Sequence, residues 1–349
     1  MRRLTVPLVL ALAAVVLPMS VSAQAMPVCG RGAGDRVPAT VAKAAAGKTT
    51  KVVIVSLDSV GSRAIRLAGK QQAPTLHRLM RRGAGTLNAR TAHELTWTLP
   101  NHTTMVTGRR VDADHNGHGV WWNDERTDPA TVQEAAGHAM SSVFRVAGGK
   151  DRETALFTAK EKLLIFERSW SDSIDRAVLD EDNAALARKA RRDLLKNRRE
   201  LTFLHLSYPD VVGHKEGFLS EAHLAAVKQT DRLLGTLVSA IEARPRLRKH
   251  VTLIVTADHG GGTDGHGDAT EPVNYRIPFI VWGAGVAKGA DLYKLNTGGY
   301  SNPGKSRTKY GIKRPPIRNG DAANLATDLL GLRAVSGSQF NAGQSLDVR

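Results

Sequence analysis

The chain of 349 residues contains one cysteine, Cys29. A single thiol cannot form an intramolecular disulfide, so the fold draws its stability from its core. Cys29 reads as a free thiol near the N-terminus, with an intermolecular bridge as the alternative. Aromatic residues make up only 5 % of the chain and are not interleaved with basic residues, so no aromatic RNA-binding pattern is present. Long apolar runs are also missing: the stretch from Leu8 to Leu17 is too short to span a bilayer comfortably, and no later segment is longer. That stretch follows Arg2-Arg3 and precedes the small residues Val21-Ser22-Ala23-Gln24-Ala25. The pattern predicts a cleavable signal over residues 1–25 and an exported protein, periplasmic or secreted. Acidic residues are in deficit, with 33 Asp and Glu against 49 Lys and Arg, a formal net charge of +16 that favours anionic partners. The excess gathers between Arg188 and Arg199 and between Lys288 and Arg318. These clusters predict a solvated helix face and a polar loop, with attraction to nucleic acid or a membrane surface as the alternative.

What the chain does have is an alternation of apolar strands and amphipathic helices. Residues 26–50 are a Gly- and Ala-rich lead-in, and 51–349 read as one domain. Strands are expected at Lys51–Leu57, Ala155–Thr158, Leu201–Leu206, Val251–Thr256 and Ile277–Trp282. Helices are expected at Pro74–Gly83, Thr131–Met140, Asp182–Asn197, from an N-cap at Ser220 to about Ala243, and from a cap at Asp321 to Gly331. The alternation predicts an α/β fold whose central sheet is mostly parallel and covered by helices on both faces.

Acidic and imidazole groups follow the apolar strands. Asp58 comes after Val52–Leu57, Asp210 and His214 after Leu201–Leu206, Asp258-His259-Gly260 after Val251–Thr256, and His266 shortly beyond. In an open α/β sheet the carboxyl ends of the strands form one rim, where distant segments converge. Three Asp and three His gathered there suit two divalent metal ions. The segment Thr96-Trp97-Thr98-Leu99-Pro100-Asn101-His102 places Pro100 in the first turn of a helix that Gly108 would end. Thr98 then sits at the helix N-terminus, where free N–H groups favour a phosphate, and its hydroxyl on a metal could ionise and attack. Asn101, one turn on, could donate to a charged oxygen.

These residues carry a family resemblance. Ser56-Leu57-Asp58, Thr98-Leu99-Pro100-Asn101-His102 with Thr107-Gly108, Tyr208-Pro209-Asp210 with Gly213-His214, and Thr256-Ala257-Asp258-His259-Gly260 resemble the alkaline phosphatase superfamily. The likeness is to its type I phosphodiesterase/nucleotide pyrophosphatase branch, over about residues 51–331. The resemblance implies an alkaline-phosphatase-like catalytic domain with two zinc ions. Asp58, Asp258, His259 and Thr98 would hold one, and Asp210, His214 and His266 the other. It further implies Thr98 as nucleophile, Asn101 as phosphoryl-oxygen donor, and hydrolysis of phosphodiester or pyrophosphate bonds through a phospho-threonine, with retention at phosphorus. A phosphomonoesterase is the nearest alternative, and a non-enzymatic polyanion-binding module the remote one. Eukaryotic members of the family usually carry a long insertion before the last histidine, whereas six residues separate His259 from His266 here. Further candidates are Trp121 and Trp122 as a wall for the leaving group, Lys160 and Lys162 as contacts for an anionic small-molecule substrate, and Asp112–His118 as a third metal loop. The Cys-x-Pro-x-Arg pattern of sulfatases is absent.

Overall fold

Lys51–Leu57 forms strand β1, whose side chains alternate between two apolar layers: Val52 and Ile54 enter one, Val53, Val55 and Leu57 the other. A strand that must be apolar on both faces is one buried at the centre of a covered sheet. The computed structural model describes residues 49–349; the expected signal and nearly all of the 26–50 lead-in lie outside them. Seven further strands complete the sheet. They are β2 (Ala84–Arg90), β3 (Thr154–Thr158), β4 (Arg176–Leu179), β5 (Leu201–Leu206), β6 (Val251–Thr256), β7 (Arg276–Gly283) and β8 (Ala290–Asp291). Their order is β4-β3-β5-β1-β6-β7-β2-β8. Strands β4, β3, β5, β1 and β6 are mutually parallel, while β7 runs antiparallel to both β6 and β2. The sheet is therefore mostly parallel with a reversed strand toward one edge.

The expected strands at β1, β5 and β6 match residue for residue, and the helix Glu221–Glu242 starts from Ser220, whose side chain accepts the His223 N–H. Other expectations shift. The helix expected over Thr131–Met140 is cut to Val132–Ala136, because Gly137 turns the chain into the left-handed region at φ 71°. A second helix, Val143–Gly148, restarts from Ser142. The final helix is Asp321–Leu329, with Gly320 at the cap position; the Asp321 carboxylate accepts the Arg318 N–H instead. Two helices lie outside the expected set: Ser62–Gln72, which is amphipathic and buries Ala64, Ile65 and Ala68, and Tyr208–Glu216, which carries no periodic signal. Among the described residues no helix is long and apolar enough to cross a membrane.

One tertiary cap ties the helical layer together. Helix Pro74–Arg82 begins at Ala73 with no side-chain cap of its own. Asp231, buried in Glu221–Glu242, accepts the N–H groups of Thr75 and Leu76 at 2.9 and 2.8 Å. Asp231→Ala should therefore cost about 1–3 kcal/mol, since it strands buried donors as well as losing two bonds. A lower urea midpoint at unchanged m-value is the expected result.

Candidate active site

Four neighbouring parallel strands end on one rim, and each delivers a charged group just past its end. Lys160 follows β3, Asp210 follows β5 on the first turn of Tyr208–Glu216, Asp58 follows β1 directly, and Asp258 follows β6. His214 lies one turn after Asp210, so both project from the same face of one helix. The i, i+4 spacing was visible in the sequence, but the helix was not. The His214 Nε2 is 3.6 Å from Asp210 Oδ1 and 3.0 Å from His266 Nε2. His259 links the halves: its Nε2 lies 3.2 Å from Asp258 Oδ2, 3.5 Å from Asp58 Oδ1 and 4.0 Å from Asp210 Oδ1. Its ring stacks on His266 at 3.9 Å. All six acidic and imidazole candidates thus fall into one chain of contacts.

The short Gly-rich loop brings His266 back, with Phe218 as its support. The Phe218 ring packs edge-on against His214 and His266, at 5.2 and 5.6 Å. A Cβ on Gly213 or Gly261 would come within 2.4 or 2.3 Å of that ring, so these glycines are required by close approach. The Thr96 carbonyl, 2.7 Å from His266 Nδ1, fixes the ring and leaves Nε2 facing the other ligands.

Thr98 is the first residue of helix Thr98–Thr107 and is buried. Gly108, at φ 66°, closes that helix in the left-handed conformation. Thr98 Oγ1 lies 3.4 Å from His259 Nε2 and 3.5 Å from Lys160 Nζ. Lys160 itself reaches Asp58 Oδ2 at 2.7 Å and Asp210 Oδ2 at 2.6 Å. Two further histidines stand behind the carboxylates. His205 Nε2 is 3.0 Å from Asp58 Oδ2, and His102 Nδ1 is 3.6 Å from Asp258 Oδ2. Both occurred in the motif segments, yet a histidine inside an apolar strand or helix gave no sign of its direction.

Asn101 departs from its expected role. Its Oδ1 accepts from Ala92 N and Asn319 Nδ2, and its Nδ2 donates to the carbonyls of Leu95 and Trp97. Fully buried with both ends of its amide committed, it pins the 91–97 loop to the helix and has no donor to offer a substrate. A different amide stands at the helix start: Asn123 accepts the Leu99 N–H through Oδ1 at 2.9 Å. Only the folded chain brings it there.

The electrostatics follow from burial. Asp58, Asp210 and Asp258 are nearly or fully inaccessible, and one oxygen of each, Asp58 Oδ1, Asp210 Oδ1 and Asp258 Oδ2, has no hydrogen-bond partner. Burial would raise the Asp58 carboxyl, but Lys160 and His205 draw it well below the usual carboxylate range. Asp258 goes the other way, raised by burial and by the charges of Asp58 and Asp210. Burial lowers His259, His266 and His205, and pushes His102 down to about 3, so these imidazoles are neutral, the form that ligates metals. Three buried carboxylates against one ammonium leave a charge deficit that cations would fill. Among the described residues two groups have ligand atoms within 4.8 Å of one another: Asp58, Asp258 and His259, and Asp210, His259 and His266. Carboxylate and imidazole donors with orphaned oxygens fit divalent metal ions.

The remaining candidates separate. Lys162 donates to the Asn123 carbonyl and lies 3.6 Å from Glu125, away from the carboxylate cluster. Trp121 is exposed, while Trp122 is buried beneath Arg126. In the Asp112–His118 loop, His118 turns inward to Thr104 Oγ1 and the Val120 N–H, so the loop does not assemble a ligand set. The late basic segment is partly structural. Arg318 donates to the carbonyls of Thr91 and Thr308, and Arg307 to that of His93, which fastens this segment over the loop preceding Thr98.

A threonine thus stands at a helix start among acidic and imidazole groups, on the carboxyl rim of a mostly parallel sheet. A sequence profile of the type I phosphodiesterase / nucleotide pyrophosphatase family matches residues 52–270, and the chain belongs to that family. Human ectonucleotide pyrophosphatase/phosphodiesterase family member 7 is 26 % identical over 48 % of this chain and 39 % of its own length. GPI ethanolamine phosphate transferase 1 of Schizosaccharomyces pombe is 25 % identical over 76 % of this chain and 29 % of its own. The chain spans less than half the length of these curated relatives. Among solved structures, murine ectonucleotide pyrophosphatase/phosphodiesterase 5, as an inactive threonine-to-alanine variant in complex with AMP, superposes with a TM-score of 0.62 at 15 % identity. That match covers 85 % of this chain and 99 % of that one. The lipoteichoic acid synthase LtaP of Listeria monocytogenes gives a TM-score of 0.59 at 15 % identity, over 84 % and 74 % of the two chains.

Asn101→Ala should lower the unfolding free energy by about 1–3 kcal/mol, because Ala92 N and two loop carbonyls lose their partner. Unchanged stability with lost turnover would return Asn101 to the substrate.

Proposed function

We propose that this chain is an exported hydrolase of small anionic phosphoesters, phosphodiesters or pyrophosphates, working through a phospho-threonine on Thr98. The observation that carries it is Thr98 Oγ1 at a helix N-terminus, 3.4 Å from His259, the imidazole that both ligand groups share. Asp58, Asp258, His259 and Thr98 would hold one divalent metal, zinc being the best match to the donors, and Asp210, His214 and His266 the other. When bound, the ions supply positive charge for the attacking and leaving oxygens.

The chain's own groups do the rest. The N-terminus of Thr98–Thr107 presents its dipole to the phosphoryl group. In the first displacement the Thr98 oxygen, having lost its proton, attacks phosphorus as the ester bond to the leaving group breaks. In the second, water attacks the same phosphorus and frees Thr98, so two inversions give net retention. Asn123, held at the helix start by the Leu99 N–H, takes the donor role expected of Asn101. The inactive threonine-to-alanine variant of the murine relative supports the assignment of a threonine nucleophile.

Beside Lys160 lies a cavity of about 600 Å³, lined also by Lys162, Glu125, Glu181, Asn183 and Tyr208. Its wall is polar, with Tyr208 its single aromatic, which favours a small charged substituent over an extended apolar one. Lys160, 3.5 Å from Thr98 Oγ1, is also the one specific observation that favours the phosphomonoesterase alternative, since a doubly charged phosphoryl group gains more from an ammonium there than a diester does.

The zinc-loaded protein should cleave bis-(p-nitrophenyl) phosphate, and Thr98→Ala should lower that rate by roughly 10³-fold or more with metal content retained. Full activity in this variant would remove Thr98 as nucleophile. Faster turnover of p-nitrophenyl phosphate than of the diester would establish the monoesterase, and adding glycerol to the same assay separates hydrolysis from transfer. Asn123→Ala should slow turnover by about 10²-fold with little change in melting temperature.

A further inference from the structure

Lys160 reaches two of the carboxylates through one oxygen of each and leaves the other oxygen free. Its Nζ contacts Oδ2 of Asp58 and Oδ2 of Asp210, whereas Oδ1 of each is the oxygen left without a hydrogen-bond partner. The two aspartates belong to opposite ligand groups and follow neighbouring strands, β1 and β5. The lysine is itself anchored: Thr158 Oγ1, at the end of β3, accepts the Lys160 N–H and donates to its carbonyl, at 3.1 and 3.0 Å. The same hydroxyl lies 3.2 Å from His205 Nδ1, whose other nitrogen holds Asp58. The ammonium side chain is only 17 % exposed, so these are shielded ion pairs between groups with little access to water.

We propose that Lys160 is the resident counter-cation of this site. It ties one carboxylate of each ligand group together through Oδ2, leaving Oδ1 of each available to an ion, and it keeps the metal-free protein folded with both groups assembled. Without it, Asp58 and Asp210 would be buried negative charges beside Asp258, with no cation until metal arrived. With it, ions enter a formed site, and loading does not require the rim to assemble around them. Lys160 is in this respect a positioning residue, and the proposal rests on the two-metal function only for what happens on loading.

The test is thermal melting of the parent protein, Lys160→Met and Lys160→Arg, each in chelator and in zinc. In chelator, Lys160→Met should melt lower than the parent by roughly 5–15 °C, as expected when one partner of a buried ion pair is removed. Zinc should recover most of that deficit, so the zinc-induced rise is larger in Lys160→Met than in the parent. Lys160→Arg, which keeps the charge, should stay close to the parent in chelator. Lys160→Met melting with the parent in chelator would overturn the proposal, and so would an equal deficit with and without zinc, which is the mark of lost packing alone. If Lys160→Met does not fold in either condition, the double variant Asp58→Asn, Lys160→Met, which removes both charges, should restore folded protein. Failure of that rescue also overturns it. A parent protein whose melting ignores zinc would contradict the two-metal function, and the comparison in chelator would still decide the role of Lys160.

Discussion

Three carboxylates brought together out of water are the constraint on which the rest of this structure depends. Asp58, Asp210 and Asp258 lie at the ends of adjacent parallel strands, where the sheet leaves them no separation and the covering helices leave them no solvent. Such a cluster is unfavourable unless positive charge or hydrogen-bond donors answer it. The surroundings supply both. Lys160 spans two of the three, His205 supports Asp58, and the N–H groups of Ser59 and His259 bind Asp258 Oδ1. What remains uncompensated is one oxygen per carboxylate, directed toward neutral imidazoles. The chemistry of the site is the chemistry of that remainder.

Positioning is shared among elements far apart in sequence. His266 depends on a loop short enough to return and small enough to pass Phe218, while Thr98 depends on a loop held by Asn101 from within and by Arg307 and Arg318 from outside. Part of the chain's large positive charge is consequently turned inward onto backbone carbonyls, and the overall charge overstates what faces a ligand. The strands and the two apolar layers supply the stiffness, and the loops supply the donors.

Much of this was legible in the sequence where a local signal coincided with a tertiary one. Strands β1, β5 and β6 are mostly apolar over six or seven residues, and such runs are best accommodated by burial on both faces; the ligands that follow them are therefore found together with the strands. Strand β2, Ala84–Arg90, carries Gly85, Thr86 and Asn88 and has no such signal. The reversed direction of β7 is a property of its neighbours and of no residue within it. The two asparagines show the same limit at the site: both stand near the same helix, and only the folded chain shows that Asn101 anchors a loop through both ends of its amide while Asn123 accepts the Leu99 N–H. Lys160 was legible as a cation after a strand, but its place between two carboxylates was set by the order of β3, β5 and β1.

The proposed function requires these groups to hold two divalent ions around Thr98. The most direct measurement is anomalous X-ray scattering at the zinc edge from crystals of the zinc-loaded protein. Two peaks about 4 Å apart are predicted, one against Asp58, Asp258, His259 and Thr98 and the other against Asp210, His214 and His266. A single peak, or zinc bound elsewhere with this cluster empty, would contradict it.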